Sequence, residues 1–250
     1  GWGVEGETWH ALEGLKTLGG ESWFLLGDRD LATHLYRTQA LRSGLSLTAV
    51  MHAMARRLSI PTDIWPMTDE PVRTVVHSEE GDLPFQEYFV KRRCEPGVSG
   101  FTFTGVEAAR PQATILAQLS NPALEAVILA PSNPFVSIDP ILAVPGYCEA
   151  LRDCPAPVIA VSPIVSGLAI KGPAAKMMAE LSLPVTAHAV AKHYADRYPG
   201  LIDHFVLDTS DAKLAPEIER STGLQVQVAD TIMKSRDDKL RLARHLLDTL

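Results

Sequence analysis

Several absences narrow the reading of this chain before any pattern does. There are only three cysteines, Cys94, Cys148 and Cys154, and no C-x-x-C joins them. An odd count without that spacing argues against a disulfide scaffold and a structural zinc site, and fits a reduced cytoplasmic protein. No apolar run approaches the ~20 residues that span a bilayer, and no signal peptide is visible, so no membrane partner is expected. G-x-S-x-G, Walker A and G-x-G-x-x-G are all missing, which leaves a nucleophile triad without support. The eight histidines have no metal spacing; His188 and His193 are five apart, which is wrong for two ligands on one helical face. Positive charge is in deficit, with a net charge of -7. That excludes a general nucleic-acid or membrane-surface binder but leaves room for a local basic pocket that holds phosphates. Internal repeats and low-complexity segments are also lacking. The chain opens at Gly1 without a methionine, in sequence that already reads as structured, and an N-terminal segment is expected to be missing.

What remains is 250 residues, 46% of them hydrophobic, enough for one large domain or two small ones with a sizeable core. The first half reads as helices followed by a β-rich patch. Residues 23–26 are a short apolar run, expected as a buried strand, and Gly27 breaks it. Asp28 can cap a helix carrying Leu31, Leu35 and Leu41 that stops at Gly44, and Ser46 can cap a second with Val50, Met54 and Leu58 on one face. Residues 72–77 and 85–90 read as strands joined by a turn at Glu80-Gly81-Asp82. In the second half the apolar runs 126–130, 158–161, 202–207 and 224–228 alternate with helical patterns at 111–119, 146–152, 174–181 and 187–194. Buried strands alternating with helices predict parallel β-α-β units. A final helix is expected from Ser235, with Asp238 completing a capping box. The predicted fold is therefore α/β and Rossmann-like, a mostly parallel sheet flanked by helices with a helical and β-rich insertion. Residues 1–98 form the substrate-side region and 99–250 the nucleotide-binding region of one continuous structural domain.

In such a sheet ligands sit beyond the carboxyl ends of the strands. One strand runs into Pro131-Ser132-Asn133-Pro134 and then Ser137, another into Ser162-Pro163 and on to Lys171-Gly172-Pro173. These loops place hydroxyls, an amide and backbone N–H groups where a phosphate or a base edge can be held, with Lys171 and Lys176 able to add charge. The same residues are also ordinary loop formers. Asp28 reads either as a helix cap or, with Arg29, as a pair facing a cleft; Asp69, ending Pro66-Met67-Thr68-Asp69, divides in the same way. Glu87 alternates with aromatics and reads as the polar face of a strand.

Taken in order, Gly1-Trp2-Gly3-Val4-Glu5-Gly6-Glu7-Thr8, Gly27-Asp28-Arg29-Asp30, Pro66-Met67-Thr68-Asp69, Phe85-Gln86-Glu87-Tyr88-Phe89-Val90, Pro131-Ser132-Asn133-Pro134, Val161-Ser162-Pro163-Ile164 and Lys171-Gly172-Pro173 resemble the 2-phospho-L-lactate transferase family of coenzyme F-420 biosynthesis. The resemblance implies transfer of a phospholactyl or phosphoenolpyruvyl group from a guanosine diphosphate-linked donor to the ribityl hydroxyl of the deazaflavin FO, with release of GMP and help from Mg2+. It implies catalytic roles for Asp28, Arg29 and Asp69, FO binding by Asp28, Arg29 and Trp2, and nucleotide binding by Ser132, Asn133, Ser137, Ser162 and Lys171. It also implies a homodimer. The family's first strand, Gly-rich loop and metal-bearing aspartates are expected in the missing N-terminal segment, so no metal ligand is assigned in this chain. Asp139 stands where the family more often has glycine, which puts a carboxylate near the expected nucleotide. The competing expectation is a regulatory protein of the same fold that binds nucleotides or nucleotide sugars without transferase activity.

Overall fold

A computed structural model describes residues 4–170 and 172–248. In its first half Ser46 caps a helix as expected, whereas Asp28 stands inside the helix it was expected to cap, whose N-cap is Gly27 with no side-chain cap bond. Three helices come first, α1 (His10–Thr17), α2 (Asp28–Arg42) and α3 (Leu47–Arg57). Ser46 caps α3 as its position predicts, its hydroxyl accepting the Ala49 N–H at 3.2 Å. The expected buried strand at residues 23–26 is not formed. The segment pairs with no strand among the described residues, and Phe24 and Leu25 are 39% and 67% exposed. A strand persists only where neighbours take its backbone hydrogen bonds, and so short a run carries no periodicity to separate it from a loop.

An antiparallel sheet follows, built from β1 (Arg73–Ser78), β2 (Gly81–Pro84) and β3 (Val98–Thr104) in the order β2-β1-β3. Val76 and Phe103 are buried on one face while His77 and Thr102 meet on the other at 2.6 Å. Residues 85–90 are not the strand expected of them. The strand stops at Pro84, which has no N–H for a ladder, and Glu87–Lys91 form a π-helical turn. The helical period prevails because Phe85 and Phe89, four apart, stack with centroids 5.4 Å apart and planes at 12°. Glu87 accordingly meets Lys91 at 3.4 Å on the same turn, not on a strand face.

The second half alternates as predicted: α4 (Ala113–Leu119), β4 (Val127–Leu129), α5 (Asp139–Leu142), α6 (Tyr147–Arg152), β5 (Val158–Val161), the hairpin β6 (Ile164–Val165) and β7 (Leu168–Ala169), α7 (Ala174–Glu180), α8 (Ala187–Arg197), β8 (His204–Asp208), α9 (Ala215–Thr222), β9 (Gln225–Ala229) and α10 (Arg236–Asp248). The sheet order is β4-β5-β8-β9, with every neighbouring pair parallel. All four residues of β5 are buried, as are Phe205, Val206 and Leu207 of β8, so helices cover both faces. One apolar cluster runs from Val76 and Tyr88 through Ile164 and Met177 to Phe205 and Leu207, which joins the antiparallel sheet to one face of the parallel one. Leu242 and Leu246 of α10 pack with Ile159, Val161 and Val206 on the other face. The capping box at the start of α10 is present, with the Asp238 N–H on Ser235 Oγ at 3.1 Å and the Ser235 N–H on Asp238 Oδ2 at 2.8 Å. Among the described residues no helix is long and apolar enough to cross a membrane.

Candidate functional site

Parallel strands aim their carboxyl ends at one edge of the sheet, and a cleft of about 1050 Å³ opens there. Pro131, Ser132 and Asn133 enter it from the end of β4, Ser162 and Pro163 from β5, and Thr231 from the loop after β9. Its opposite wall comes from the first half of the chain, from Trp23, Phe24 and Leu25 and from Phe85, Phe89, Lys91 and Arg93. Two π-helical turns, Glu87–Lys91 and Pro134–Ile138, flank the cleft, the second presenting Val136 and Ser137. Such turns are rare and gather at functional sites, because the wide turn re-aims side chains that a regular helix would bury.

Several of the polar side chains along the sheet edge are spent on shaping it. Asn133 Oδ1 accepts the Phe135 N–H at 3.0 Å, and its Nδ2 lies 3.2 Å from the Met177 sulfur. The buried Ser162 hydroxyl donates to the Ile164 carbonyl at 3.0 Å and accepts the Ile164 N–H at 3.2 Å. Ser132 and Ser137 differ: their hydroxyls make no hydrogen bond among the described residues and are free for a ligand. Asp208, at the end of β8, anchors the rim. Its carboxylate accepts the Thr231 N–H at 2.9 Å and hydroxyl at 3.1 Å, and the Ser210 N–H at 2.9 Å. Burial pushes its pKa up, but the Ser210 and Thr231 donors outweigh that and leave it below the ordinary value, so the group stays charged.

The charge lining the cleft is of one sign. Lys91, Arg93 and Lys239 line it, and no aspartate or glutamate does among the described residues, in a chain whose net charge is -7. Aromatic surface lies beside the cations. The Phe85–Phe89 stack is joined by Trp23, whose ring centroid is 5.7 Å from the Lys91 ammonium.

The model of the family described as 2-phospho-L-lactate transferase CofD matches residues 7–244. The chain belongs to this family. The transferase is 38% identical over 253 residues to a phosphoenolpyruvate transferase of Streptomyces griseus, covering 99% of this chain and 78% of that protein. It is 36% identical over 242 residues to a 2-phospho-L-lactate transferase of Methanosarcina mazei, covering 97% of this chain and 77% of that one. A solved member of the UPF0052 family from Bacillus halodurans shares the fold, with a TM-score of 0.58 at 15% identity over 82% of this chain and 67% of that one.

Within the transferase, Ser132, Asn133, Ser137 and Ser162 are brought together in the cleft. Asp28, Arg29 and Asp69 are not among the residues lining it. Asp28 accepts the Thr8 hydroxyl at 2.6 Å and the His10 and Ala11 N–H groups at 3.0 Å, so it caps α1. The Arg29 guanidinium donates to the Glu5 carbonyl at 2.8 Å. Asp69 accepts the Thr48 N–H at 2.7 Å and so helps cap α3. Trp2 and Lys171 lie outside the described residues. Contrary to what its position in sequence suggested, Asp139 is not among the residues lining the cleft. It is 4% exposed and turned toward α8, with His193 Nε2 and the Tyr198 hydroxyl each 3.0 Å from its Oδ1. Lys176 adds no charge to the cleft either; it donates to the Pro96 carbonyl at 3.0 Å and pairs with Glu180. Sequence reasoning passed over Phe85 and Phe89 as a cleft wall, Lys91, Arg93 and Lys239 as its cations, and Asp208 with Thr231. The four-residue spacing of Phe85 and Phe89, and the run Lys91-Arg92-Arg93 in an acidic chain, were the available signals; Asp208 and Lys239 had none.

Proposed function

We propose that the cleft joins a guanosine diphosphate-linked three-carbon acid to the deazaflavin FO, transferring the phospho-acid to the ribityl hydroxyl and releasing GMP. The observation that carries this is the composition of the cleft among the described residues: the cations Lys91, Arg93 and Lys239, no carboxylate, and an aromatic wall in one cavity. A flat, largely apolar ring suits the Phe85–Phe89 side, where stacking and burial supply the affinity. A polyanion suits the cationic side, and the hydroxyls of Ser132 and Ser137 are free to bond its oxygens. The reaction is a displacement at phosphorus, in which the hydroxyl oxygen forms a bond to phosphorus as the bond to the GMP oxygen breaks and the hydroxyl proton is released to water. Positioning and neutralisation of charge on the transferring group do most of the work in such a step. The names of its relatives, phosphoenolpyruvate transferase and 2-phospho-L-lactate transferase, support a phospho-acid of this class.

Magnesium is implied by the resemblance, but the described residues do not fit it. No group of three or more histidine, cysteine, aspartate or glutamate side chains among them is placed to hold a metal ion, and none of the described residues lining the cleft is acidic. The test is an assay with FO and the guanosine donor, with mass detection of the phospho-acid ester of FO and of GMP. Formation of both in equal amounts is expected; GMP released without the ester would overturn the reading.

A further inference from the structure

Arg93 and Cys94 both hold the left-handed backbone conformation, with φ of 49° and 58°. Neither is glycine or asparagine, so the pair is strained and persists only because its surroundings hold it. The Cys94 N–H is fixed to the Tyr88 carbonyl at 2.9 Å and the Glu95 N–H to the Arg92 carbonyl at 2.8 Å. Further along, α7 grips the same loop: Lys176 donates to the Pro96 carbonyl at 3.0 Å and Glu180 accepts the Val98 N–H at 3.1 Å. The consequence lies in the side chains. Of the three consecutive cations, Lys91 pairs with Glu87 and Arg92 with Glu80. Arg93 pairs with no acid among the described residues, and it lines the cleft. Lys239, reaching the cleft from α10, has no acidic partner among them either.

We propose that Arg93, with Lys239, is the anion site of the cleft and holds the acidic end of the donor, and that the strained backbone at Arg93 is retained to aim its guanidinium there. The proposal rests on the transferase reading of the cleft. A guanidinium forks onto two oxygens of a phosphate or a carboxylate, and the lysine adds a point charge. Both anions occur in the donor and share this chemistry, so the test carries an arm for each.

The test uses Arg93→Gly and Arg93→Asn, because both residues adopt the left-handed conformation without strain. Loss of a side chain held only for binding leaves the melting temperature unchanged or higher while the ligand is lost. Calorimetric titrations with guanosine diphosphate and with phosphoenolpyruvate are expected to show affinity about 10- to 100-fold weaker in both variants. A fall for both ligands assigns the site to phosphate. A fall for phosphoenolpyruvate alone assigns it to the carboxylate end. Unchanged affinity for both ligands, with the unaltered protein binding them, overturns the anion site and leaves the reading of the cleft standing. Failure of the unaltered protein to bind either ligand overturns that reading and the anion site with it. A lowered melting temperature in both variants with affinity for both ligands unchanged would show Arg93 to be structural and would also overturn the proposal.

Discussion

Glu7 and Asp28 cap each other's helices. Glu7 accepts the Arg29 and Asp30 N–H groups at 2.9 and 3.2 Å, at the start of α2, and Asp28 accepts the His10 and Ala11 N–H groups at the start of α1. Each carboxylate thus takes up donors that a helix leaves unpaired, and each sits at the positive end of a dipole. Gly27 makes the arrangement possible by close approach, since a Cβ there would fall 1.9 Å from Glu7 Cγ. Gly27→Ala is expected to lower the melting temperature by driving Glu7 off α2. In a Glu7→Ala background the same change should cost much less, because the two act through one contact. Thermal melts of the two single variants and the double variant check this; strict additivity would refute it.

Asp28→Asn separates a capping role from a substrate role. Three donors converge on the two carboxylate oxygens of Asp28, and an amide offers only one acceptor oxygen. The variant is expected to melt lower while keeping the KM for FO of the unaltered protein. A raised KM with an unchanged melt would place Asp28 at the substrate instead.

The acid limb of stability is set by carboxylates held below their ordinary range. The Thr68 hydroxyl and then the Arg110 N–H hold Glu70 down to about 2 from 4.5. The Arg29 N–H lowers Glu7, and the Thr8 hydroxyl and the Ala11 N–H lower Asp28. A folded-state pKa below the unfolded one stabilises at pH above the unfolded value and loses that contribution as pH falls. Stability is therefore expected to hold above about pH 4.5 and to decline toward pH 2. Glu70→Gln should flatten part of that decline in denaturant titrations run across the range. An unchanged pH profile would remove Glu70 from the account.

Ser137 and Asn133 should behave differently although they share one loop. The Ser137 hydroxyl has no partner among the described residues, so Ser137→Ala is expected to leave stability within about 0.5 kcal/mol. Its KM for the guanosine donor should rise about 5-fold. Asn133 caps the turn that carries Ser137, so Asn133→Ala is expected to cost about 1 kcal/mol of stability as well as donor affinity. Denaturation curves beside steady-state kinetics distinguish the two; equal stability losses would contradict the assignment.

Asp208→Ala is expected to destabilise the chain by about 1–3 kcal/mol, because it leaves the buried Thr231 N–H without an acceptor. Hydrogen exchange at Thr231 should quicken in the same variant. Protection that survives the substitution would mean that another group holds this rim of the cleft.

What could be read without a structure was whatever short stretches decide among themselves. The unbroken apolar run Val158-Ile159-Ala160-Val161 has no polar face to expose, so it becomes a strand buried on both sides. Ser235 and Asp238 are three residues apart and bond across one turn whatever surrounds them. The position of Ser132 and Ser137 in the cleft follows from the same logic, because a strand's end determines the edge at which the next loop emerges.

Tertiary structure decided where a group's partners lie far along the chain. Asp28 and Asp69 resemble site carboxylates in sequence, yet their donors are Thr8, His10, Ala11 and Thr48, 17 to 21 residues away. Residues 85–90 fit a strand until Pro84 ends the ladder and the Phe85–Phe89 stack selects a helical turn. Lys91, Arg92 and Arg93 are equivalent as a run of charge. Only the placement of Glu87 and Glu80 pairs Lys91 and Arg92 with acids and leaves Arg93, at the cleft beside Lys91, without one among the described residues. Local sequence sets period and cap because those interactions act within a turn; charge pairing and burial are sums over neighbours that only the fold brings together.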